Sequence, residues 1–538
     1  MRSAERTQST SALLRQAISA RIVIGVTGHR KLENQPALTD AVHLAIEKIK
    51  QMIPSLKSTP LSLCVLSPLA EGADRLVARE VLRVPGAMLE VILPLEKDDY
   101  MREFQTKESK EEFEGLLSQA SSVRILPNRG SRTEVYAQVG CYIVDHCDVL
   151  IALWNGKTAA GKGGTQEIVQ HALDNKCPLL WINTENPSQI EIEKARGLDE
   201  RPFRDLDEYN SECVNPIRFE TQLSRVTTFF TNQVISAKLP LDRLKSTLDY
   251  ILRCYVRGDI LALNYQYLYY RAETLIYTLA LAAITIAAFQ ILFVPDQPVI
   301  LVSEIVLMLA ILTIVWVGRR RRWHGKWIDY RFLAERFRSA LFMAVANLEV
   351  TMLPPPRHLS LAYSPKDWMV VAFVSVWCQR PRLQASDSLL FEGVKHFLCE
   401  AWTENQIRFH DGTRKRHYRR HQRLTAASYS LFGLTVVVAI FHVVGFGSHL
   451  IGTTFAFMAI IFPATAASVT AIRTHRDYLR NSMRSAEMIR HLKELKEKMV
   501  QVQNPDGFLA LVKETEETML HENEDWRVVV RFHKIEPV

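Results

Sequence analysis

The chain has 538 residues, of which 48% are hydrophobic and 23% are charged, and its net charge is +8. Its length predicts several domains, and its eight cysteines show neither the paired CxxC spacing of a zinc site nor a disulfide framework. No metal site is therefore expected. Residues 1–20 lack the long apolar core of a signal peptide, so we expect a flexible N-terminus that stays in the cytosol.

Residues 21–185 alternate short apolar runs with amphipathic stretches, which is the pattern of an α/β domain. The predicted strands are 21–27, 61–66, 88–93, 123–126, 148–153 and 178–183, and the predicted helices are 36–52, 73–83, 108–120, 133–146 and 165–174. This alternation predicts a parallel, doubly wound, Rossmann-like sheet.

Three of the predicted strands end in glycine-containing turns. In open α/β sheets, ligands bind beyond the carboxyl ends of the strands, and all three turns fall on that edge. The candidate binding residues are Thr27, Gly28, His29 and Arg30 after the first strand, Glu71, Gly72, Ala73, Asp74 and Arg75 after the second, and Trp154, Gly163, Gly164, Thr165 and Glu167 after the fifth.

These turns have the chemistry of a site for a phosphate-bearing ligand. Gly163 and Gly164 let backbone N–H groups approach an anion, and Thr165 can cap the next helix, whose N-terminus favours negative charge. Arg30 and Arg75 add positive charge. A glycine at a strand-to-helix corner is also simply what a tight turn requires, so each turn taken singly leaves both interpretations open.

The same turns resemble those of a known superfamily. The strings GVTGHR at 25–30, SPLAEGADR at 67–75, DVLIALW at 148–154 and GGT at 163–165 resemble the SLOG superfamily, many of whose members sense nucleotide-derived ligands. The resemblance implies a Rossmann-like domain that binds such a ligand and needs no other cofactor. Asn155 departs from the Asp that often follows the Trp, which puts contacts to sugar hydroxyls at that position in doubt.

Within this superfamily, the LOG enzymes cleave the N-glycosidic bond of nucleoside monophosphates. Their PGGxGTxxE loop supplies a Glu that acts with a separate Arg. In this chain the loop occupies 161–167 without its leading proline, so a hydrolase with Glu167 and Arg75 as catalytic residues is an alternative. The other interpretation is that Glu167 only favours the start of a helix. We expect a sensor that has no catalytic residues.

Residues 186–260 are predicted to form a connector, irregular up to Pro216 and helical afterwards. Two apolar runs follow at 275–294 and 299–317, and each has close to the twenty or so residues that a helix needs to cross a bilayer. The second run ends in four arginines at 319–322, whereas the loop between the runs has no Lys or Arg. The positive-inside rule therefore places the loop outside and both flanks in the cytosol. The expected location is the inner membrane, with both chain termini in the cytosol.

Segment 261–350 resembles the SLATT family, two-helix membrane effectors that often accompany SLOG sensors. The detail that carries the resemblance is the Ala334-Glu335 step in the polar helix that follows the hairpin. Glu304 interrupts the second apolar run. An ionisable residue there is a candidate for lining a pore, although it is also close enough to the loop to reach water.

A second, similar unit is predicted at 401–500, after a linker or small subdomain at 351–400. Its apolar runs are 429–446 and 450–472, and at an offset of roughly 152 residues Ala486-Glu487 matches Ala334-Glu335. We interpret this as a tandem duplication that gives four transmembrane helices. The tail, 501–538, is expected to end in a strand at 526–532.

The resemblance to SLOG and SLATT proteins implies a membrane effector in bacterial antiviral defence, gated by a nucleotide-derived ligand. Four helices enclose a poor pore, so a homo-oligomer is expected. The basic runs at 319–322 and 414–421 should meet anionic lipid heads, and nucleic-acid binding is not expected. A ligand-gated channel with a housekeeping role is a further alternative.

Overall fold

The computed structural model describes residues 17–126, 130–157, 164–188, 190–193, 198–297, 299–346, 367–381, 390–445 and 447–531. The chain divides into two compact units. The first comprises Met1–Cys213 and Pro365–Gln379, and the second comprises Val214–Ser364 and Arg380–Val538. The first is α/β and the second is helical, which confirms the predicted fold class.

A seven-stranded sheet lies at the centre of the first unit. Its strands are β1 (Ala20–Gly28), β2 (Leu61–Ser67), β3 (Met88–Leu93), β4 (Ser122–Ile125), β5 (Val149–Trp154), β6 (Leu179–Asn183) and β7 (Ile190–Glu193). The spatial order is β4-β3-β2-β1-β5-β6-β7; β1 to β6 are parallel and β7 is antiparallel to β6. The six predicted strands are confirmed to within one residue at each end.

The helices follow in chain order. They are α1 (Gln35–Met52), α2 (Ala73–Leu82), α3 (Lys97–Met101), α4 (Lys107–Ser118), α5 (Arg132–His146), α6 (Thr165–Asp174), α7 (Glu200–Ser211), α8 (Pro216–Ser236), α9 (Leu241–Phe293), α10 (Val299–Arg320), α11 (Trp323–Val345), α12 (Trp368–Gln379), α13 (Phe391–Phe397), a π-helical segment (Leu398–Glu404), α14 (Asn405–Val444), α15 (His449–His475), α16 (Tyr478–Gln501) and α17 (Pro505–Arg531).

Two helices of the first unit lie in the predicted connector and in the predicted linker or small subdomain. Helix α7 occupies part of the connector and starts at Asp199, whose carboxylate accepts a hydrogen bond from the N–H of Arg201 at 3.1 Å. Helix α12 occupies part of the expected linker and is apolar on nearly every side, so it is buried. It packs on α7 and β1, with the rings of Tyr209 and Trp368 5.4 Å apart. The first unit therefore extends beyond the predicted domain 21–185.

The second unit contains four helices long and apolar enough to cross a membrane, within α9, α10, α14 and α15. These contain the four predicted apolar runs. Helix α9 is continuous over 53 residues, so the first run has no break from the helix that precedes it. In each hairpin, the second apolar helix ends at a residue of left-handed conformation, and a polar helix follows. These residues are Arg322 (φ 54°) and Asp477 (φ 48°).

The expected C-terminal strand is wrong for 526–531, where α17 continues to Arg531. The Val-Val-Val run at 528–530 has a high strand propensity, which is a weak preference. The chain that precedes it is rich in Glu and Leu, and an established helix propagates at little cost. Helix continuation therefore prevails.

Candidate functional site

A cavity of about 240 Å³ opens at the carboxyl ends of the central strands. From β1 the chain builds outward through β2 to one edge of the sheet and then returns to β5 on the other side, so the strand order reverses between β1 and β5. This is the position at which open α/β sheets bind ligands. Five predicted residues line the cavity: Thr27, Gly28, Arg30, Asp74 and Thr165.

Two of the predicted glycines keep the turns close together. A Cβ at Gly28 would lie 2.5 Å from the Cβ of Ala73, and Gly72 (φ 79°) would place one against the carbonyl oxygen of His29. The N–H of Ala73 donates to that same carbonyl at 3.1 Å. His29 also accepts a hydrogen bond at Nε2 from the N–H of Asn155, at 3.2 Å. Gly72, Ala73 and His29 therefore build the turns and do not line the cavity.

The cavity contains a carboxyl group with an altered affinity for protons. Asp74 is buried, and its Oδ2 accepts a hydrogen bond from the N–H of Ala70 at 3.2 Å. Burial raises the pKa of Asp74 to about 7, although Ala70, Arg30 and Arg75 act to lower it. Near neutral pH this carboxyl group is therefore protonated in part of the molecules, and it can then donate a hydrogen bond.

Tyr100 is a lining residue that the sequence did not indicate. It lies on the short helix α3, is 1% exposed, and packs edge-on against Phe104 and Phe113. Its hydroxyl group has no hydrogen-bond partner among the residues that the structure describes. Burial and the nearby Asp74 raise the pKa of Tyr100 well above its usual value, so the hydroxyl keeps its proton. It is a buried donor on the wall of the cavity.

Arg75 makes most of its contacts with neighbouring groups of the protein. It is 2% exposed, and its Nη1 donates to the carbonyl oxygen of Ser109 at 2.8 Å and to Glu112 at 3.2 Å. Its guanidinium group lies 4.4 Å from the ring centre of Phe104. With Glu71 and Arg30 it borders a separate, open recess of about 580 Å³. Arg75 therefore supports the wall and does not line the cavity at the β1–β5 reversal.

The loop after β5 contributes the start of α6. Gly164, and not Thr165 as predicted, is the residue that precedes this helix, and no side chain caps it. Thr165 lies in the first turn and lines the cavity. The first N–H groups of a helix lack partners within it and favour an anion. Glu167 is exposed on the same turn, and Gly163 lies outside the described residues.

The remaining predicted residues of this loop do not converge on the cavity. Trp154 donates from Nε1 to the carbonyl oxygen of Lys157 at 3.1 Å and packs beside Trp181. Glu167 and Arg75, the catalytic pair of the hydrolase alternative, do not border one common cavity among the described residues. Arg75 borders only the open recess, and Glu167 lines neither of the two cavities.

The two matching Ala-Glu steps of the second unit lie in different environments. Glu335 is 5% exposed and pairs with Arg331 and Arg338 on its own helix, and Arg331 also pairs with Asp259 of α9 at 2.9 Å. Ala334 faces Gly258 of α9. A Cβ added at Gly258 would lie 3.3 Å from the Cβ of Ala334. This step thus lies inside the α9–α11 contact.

In the second hairpin, the Glu487 side chain is 59% exposed and pairs with Arg490 and His491 on its own helix, α16. The other polar candidate, Glu304, is half-buried near the start of α10. Its expected role in lining a pore stays a prediction.

Comparison with known proteins concerns the second hairpin. Residues 400–526 match the model of a family described as SMODS and SLOG-associating 2TM effector domain 1, known as SLATT. The match spans α14, α15, α16 and most of α17. No curated protein matches the chain. The chain is thus a multi-pass membrane protein whose C-terminal part is similar to a two-helix transmembrane effector domain.

Proposed function

We propose that the protein is a membrane effector of bacterial antiviral defence, whose α/β unit senses a nucleotide-derived ligand. Binding of that ligand changes the helical unit so that the membrane is opened or perturbed. The observation that carries the proposal is the cavity at the strand-order reversal, in a chain that also has a two-helix effector domain. The likeness of the turns to SLOG domains gives it further support.

The lining of the cavity suits one small nucleotide. The hydroxyl groups of Tyr100, Tyr136 and Thr27 provide polar partners, and Val26 and Ile168 provide apolar surface for a base. The first turn of α6, together with a positive charge at the rim from Arg30, favours a phosphate group. The volume of about 240 Å³ is below the roughly 300 Å³ at which pockets for drug-sized ligands begin, so a dinucleotide would not be enclosed.

The membrane part of the proposal rests on repetition and charge. The helix–loop–helix arrangement with a left-handed break occurs twice, which supports a first SLATT-like unit before the matched one. The basic runs at 319–322 and 414–421 support an orientation with both termini in the cytosol, in the inner membrane. Four helices do not enclose a wide pore, so several copies assemble around one opening.

The proposal is tested with the full chain in lipid nanodiscs and a panel of nucleotides. A fragment that ends near residue 190 would lack α7 and α12, which pack on one another within the α/β unit. A ligand at a hundred times its dissociation constant adds about 2.7 kcal/mol to the free energy of unfolding, which raises the melting temperature. The stabilising nucleotide is then added to liposomes that contain the protein and an enclosed dye.

Mass spectrometry of the nucleotide separates the alternatives. An intact nucleotide that stabilises the protein and releases the dye is the expected result. Loss of the base from a nucleoside monophosphate, abolished in Glu167→Gln, would replace the sensor with a membrane-anchored phosphoribohydrolase. If no nucleotide stabilises the protein, the proposed ligand class is wrong.

Tyr100→Phe is expected to weaken binding of the stabilising nucleotide by about tenfold, because the ligand loses the buried donor on the cavity wall. The folded state should keep its stability, since the hydroxyl group has no partner among the described residues to lose. Isothermal titration measures the affinity. Tyr209→Phe is the matched control, because Tyr209 is equally buried but does not line the cavity. Unchanged affinity in Tyr100→Phe would exclude this tyrosine from recognition.

A further inference from the structure

A buried ion cluster joins the two hairpins of the second unit. Glu273 of α9 is 3% exposed and lies just before the apolar run at 275–294. Its carboxylate is 3.1 Å from Nδ1 of His475 and 3.5 Å from Nε of Arg476. His475 ends α15, and Arg476 lies in the break before α16. The cluster therefore connects the first hairpin to the second. It lies at the end of the hairpins opposite to their loops, and this end is here called the base.

Arg476 is held by more than this ion pair. Its Nη2 donates to the carbonyl oxygen of Tyr270 at 3.1 Å and to Oγ1 of Thr274 at 2.8 Å. The guanidinium group also lies 4.6 Å from the ring centre of Tyr270. One side chain of the second hairpin thus contacts three residues on one face of α9. An arginine can make such contacts together because its planar group carries five fixed donors.

The opposite end of the α9–α15 contact is apolar. There the ring of Phe457 on α15 lies 5.7 Å from Phe293 and 6.4 Å from Phe289 on α9. Between transmembrane helices, an apolar contact gains little over contact with lipid, because lipid tails are equally apolar. Separating the buried carboxylate of Glu273 from the guanidinium group of Arg476 is costly, because the charge stays behind without a partner. The base therefore dominates the attachment of one hairpin to the other.

Both sides of the cluster continue into long helices. Glu273 lies within the uninterrupted helix α9, which starts at Leu241, and Arg476 is followed directly by α16. Asp477 (φ 48°) forms the corner between α15 and α16. A rotation of α16 about this corner, or a shift of α9 along its axis, acts on the cluster directly.

We propose that Glu273 and Arg476 form a clamp that keeps the two hairpins together, and that release of this clamp opens the membrane unit. The clamp is a property of the resting state. Its role in opening rests on the proposed effector function.

The test compares Glu273→Gln with the unchanged protein, both as full chains without any nucleotide. In nanodiscs, hydrogen exchange is expected to rise in the segments around Glu273 and Arg476, because the base of the α9–α15 contact loosens. In liposomes, leakage of an enclosed dye is expected to rise about tenfold, as for the loss of one charge-assisted contact. Glu487→Gln is the matched control: it removes the same charge from an exposed pair and should change neither quantity.

Arg476→Lys provides a second variant that keeps the charge but loses the fork of donors, and it should give a smaller rise in both quantities. If Glu273→Gln fails to fold, Arg476→Lys alone tests the clamp. Unchanged hydrogen exchange in a folded variant would overturn the clamp. Faster exchange without leakage would overturn its role in opening. Leakage from Glu273→Gln in a protein that no nucleotide stabilises would support the clamp and refute only the sensing function.

Discussion

Glu335→Gln is expected to lower the free energy of unfolding of the second unit by about 3 kcal/mol, whereas Glu487→Gln leaves it unchanged. The carboxylate of Glu335 lies inside the α9–α11 contact and neutralises Arg331 and Arg338. Burial alone would lower the pKa of Arg331, but Glu335 and Asp259 raise it above its usual value, which shows how strongly the cation depends on these carboxylates. Glutamine keeps the shape and leaves both cations undercompensated.

Guanidinium denaturation in detergent micelles, followed by tryptophan fluorescence, measures this difference. Trp327 and Trp402 are buried in the second unit and report on its packing. Glu487→Gln is the control, because the two glutamates follow an alanine in the polar helices after the two apolar hairpins and differ in burial. Equal destabilisation by both substitutions would show that the buried network around Glu335 does not hold α11 against α9.

Asp74→Asn is expected to become more stable than the unchanged protein as the pH rises from about 4 to 7. Burial raises the pKa of Asp74 to about 7 in the folded chain, while in the unfolded chain it is about 3.9. The unfolded state therefore loses this proton first. The contribution of Asp74 to stability is complete below about pH 4, decreases as the pH rises to 7, and stays low above that value.

Since one pKa unit corresponds to 1.36 kcal/mol, the loss is on the order of 4 kcal/mol, and asparagine avoids it because it does not titrate. Its side-chain oxygen can still accept the hydrogen bond from Ala70. Melting curves at pH 4, 6 and 8 measure the effect. Burial also raises the pKa of Glu516 in the second unit to about 7, so the difference between variant and unchanged protein is the informative quantity. An Asp74→Asn variant that is less stable at every pH would show that Asp74 is ionised when buried.

The strand ends and their glycine turns were predictable because their signals are local. An apolar run of five to seven residues followed by glycine indicates both the strand and its end, and parallel strands bring such ends to one edge. Tyr100 was not predictable in this way. It reaches the cavity from the five-residue helix α3, and a lone tyrosine in a charged stretch has no pattern that assigns it a place.

Residue type alone also did not predict the environment of Arg75. The sequence shows an arginine in a turn, and that is compatible with a phosphate contact. Its burial against Phe104 and its bonds to Ser109 depend on a segment some thirty residues away in sequence. In the same way, Ala334-Glu335 and Ala486-Glu487 are identical dipeptides, and only the packing of α9 on α11 distinguishes the buried one from the exposed one.

The position of α12 has a consequence for the order in which the protein matures on the ribosome. Its residues, Trp368–Gln379, belong to the α/β unit but are synthesised after the first apolar hairpin. Translation proceeds from the N-terminus at roughly 5–20 residues per second. Helices α9 and α10 are therefore synthesised before α12, the helix that packs on β1 and α7. The α/β unit is therefore completed only after the whole of the first apolar hairpin has been synthesised.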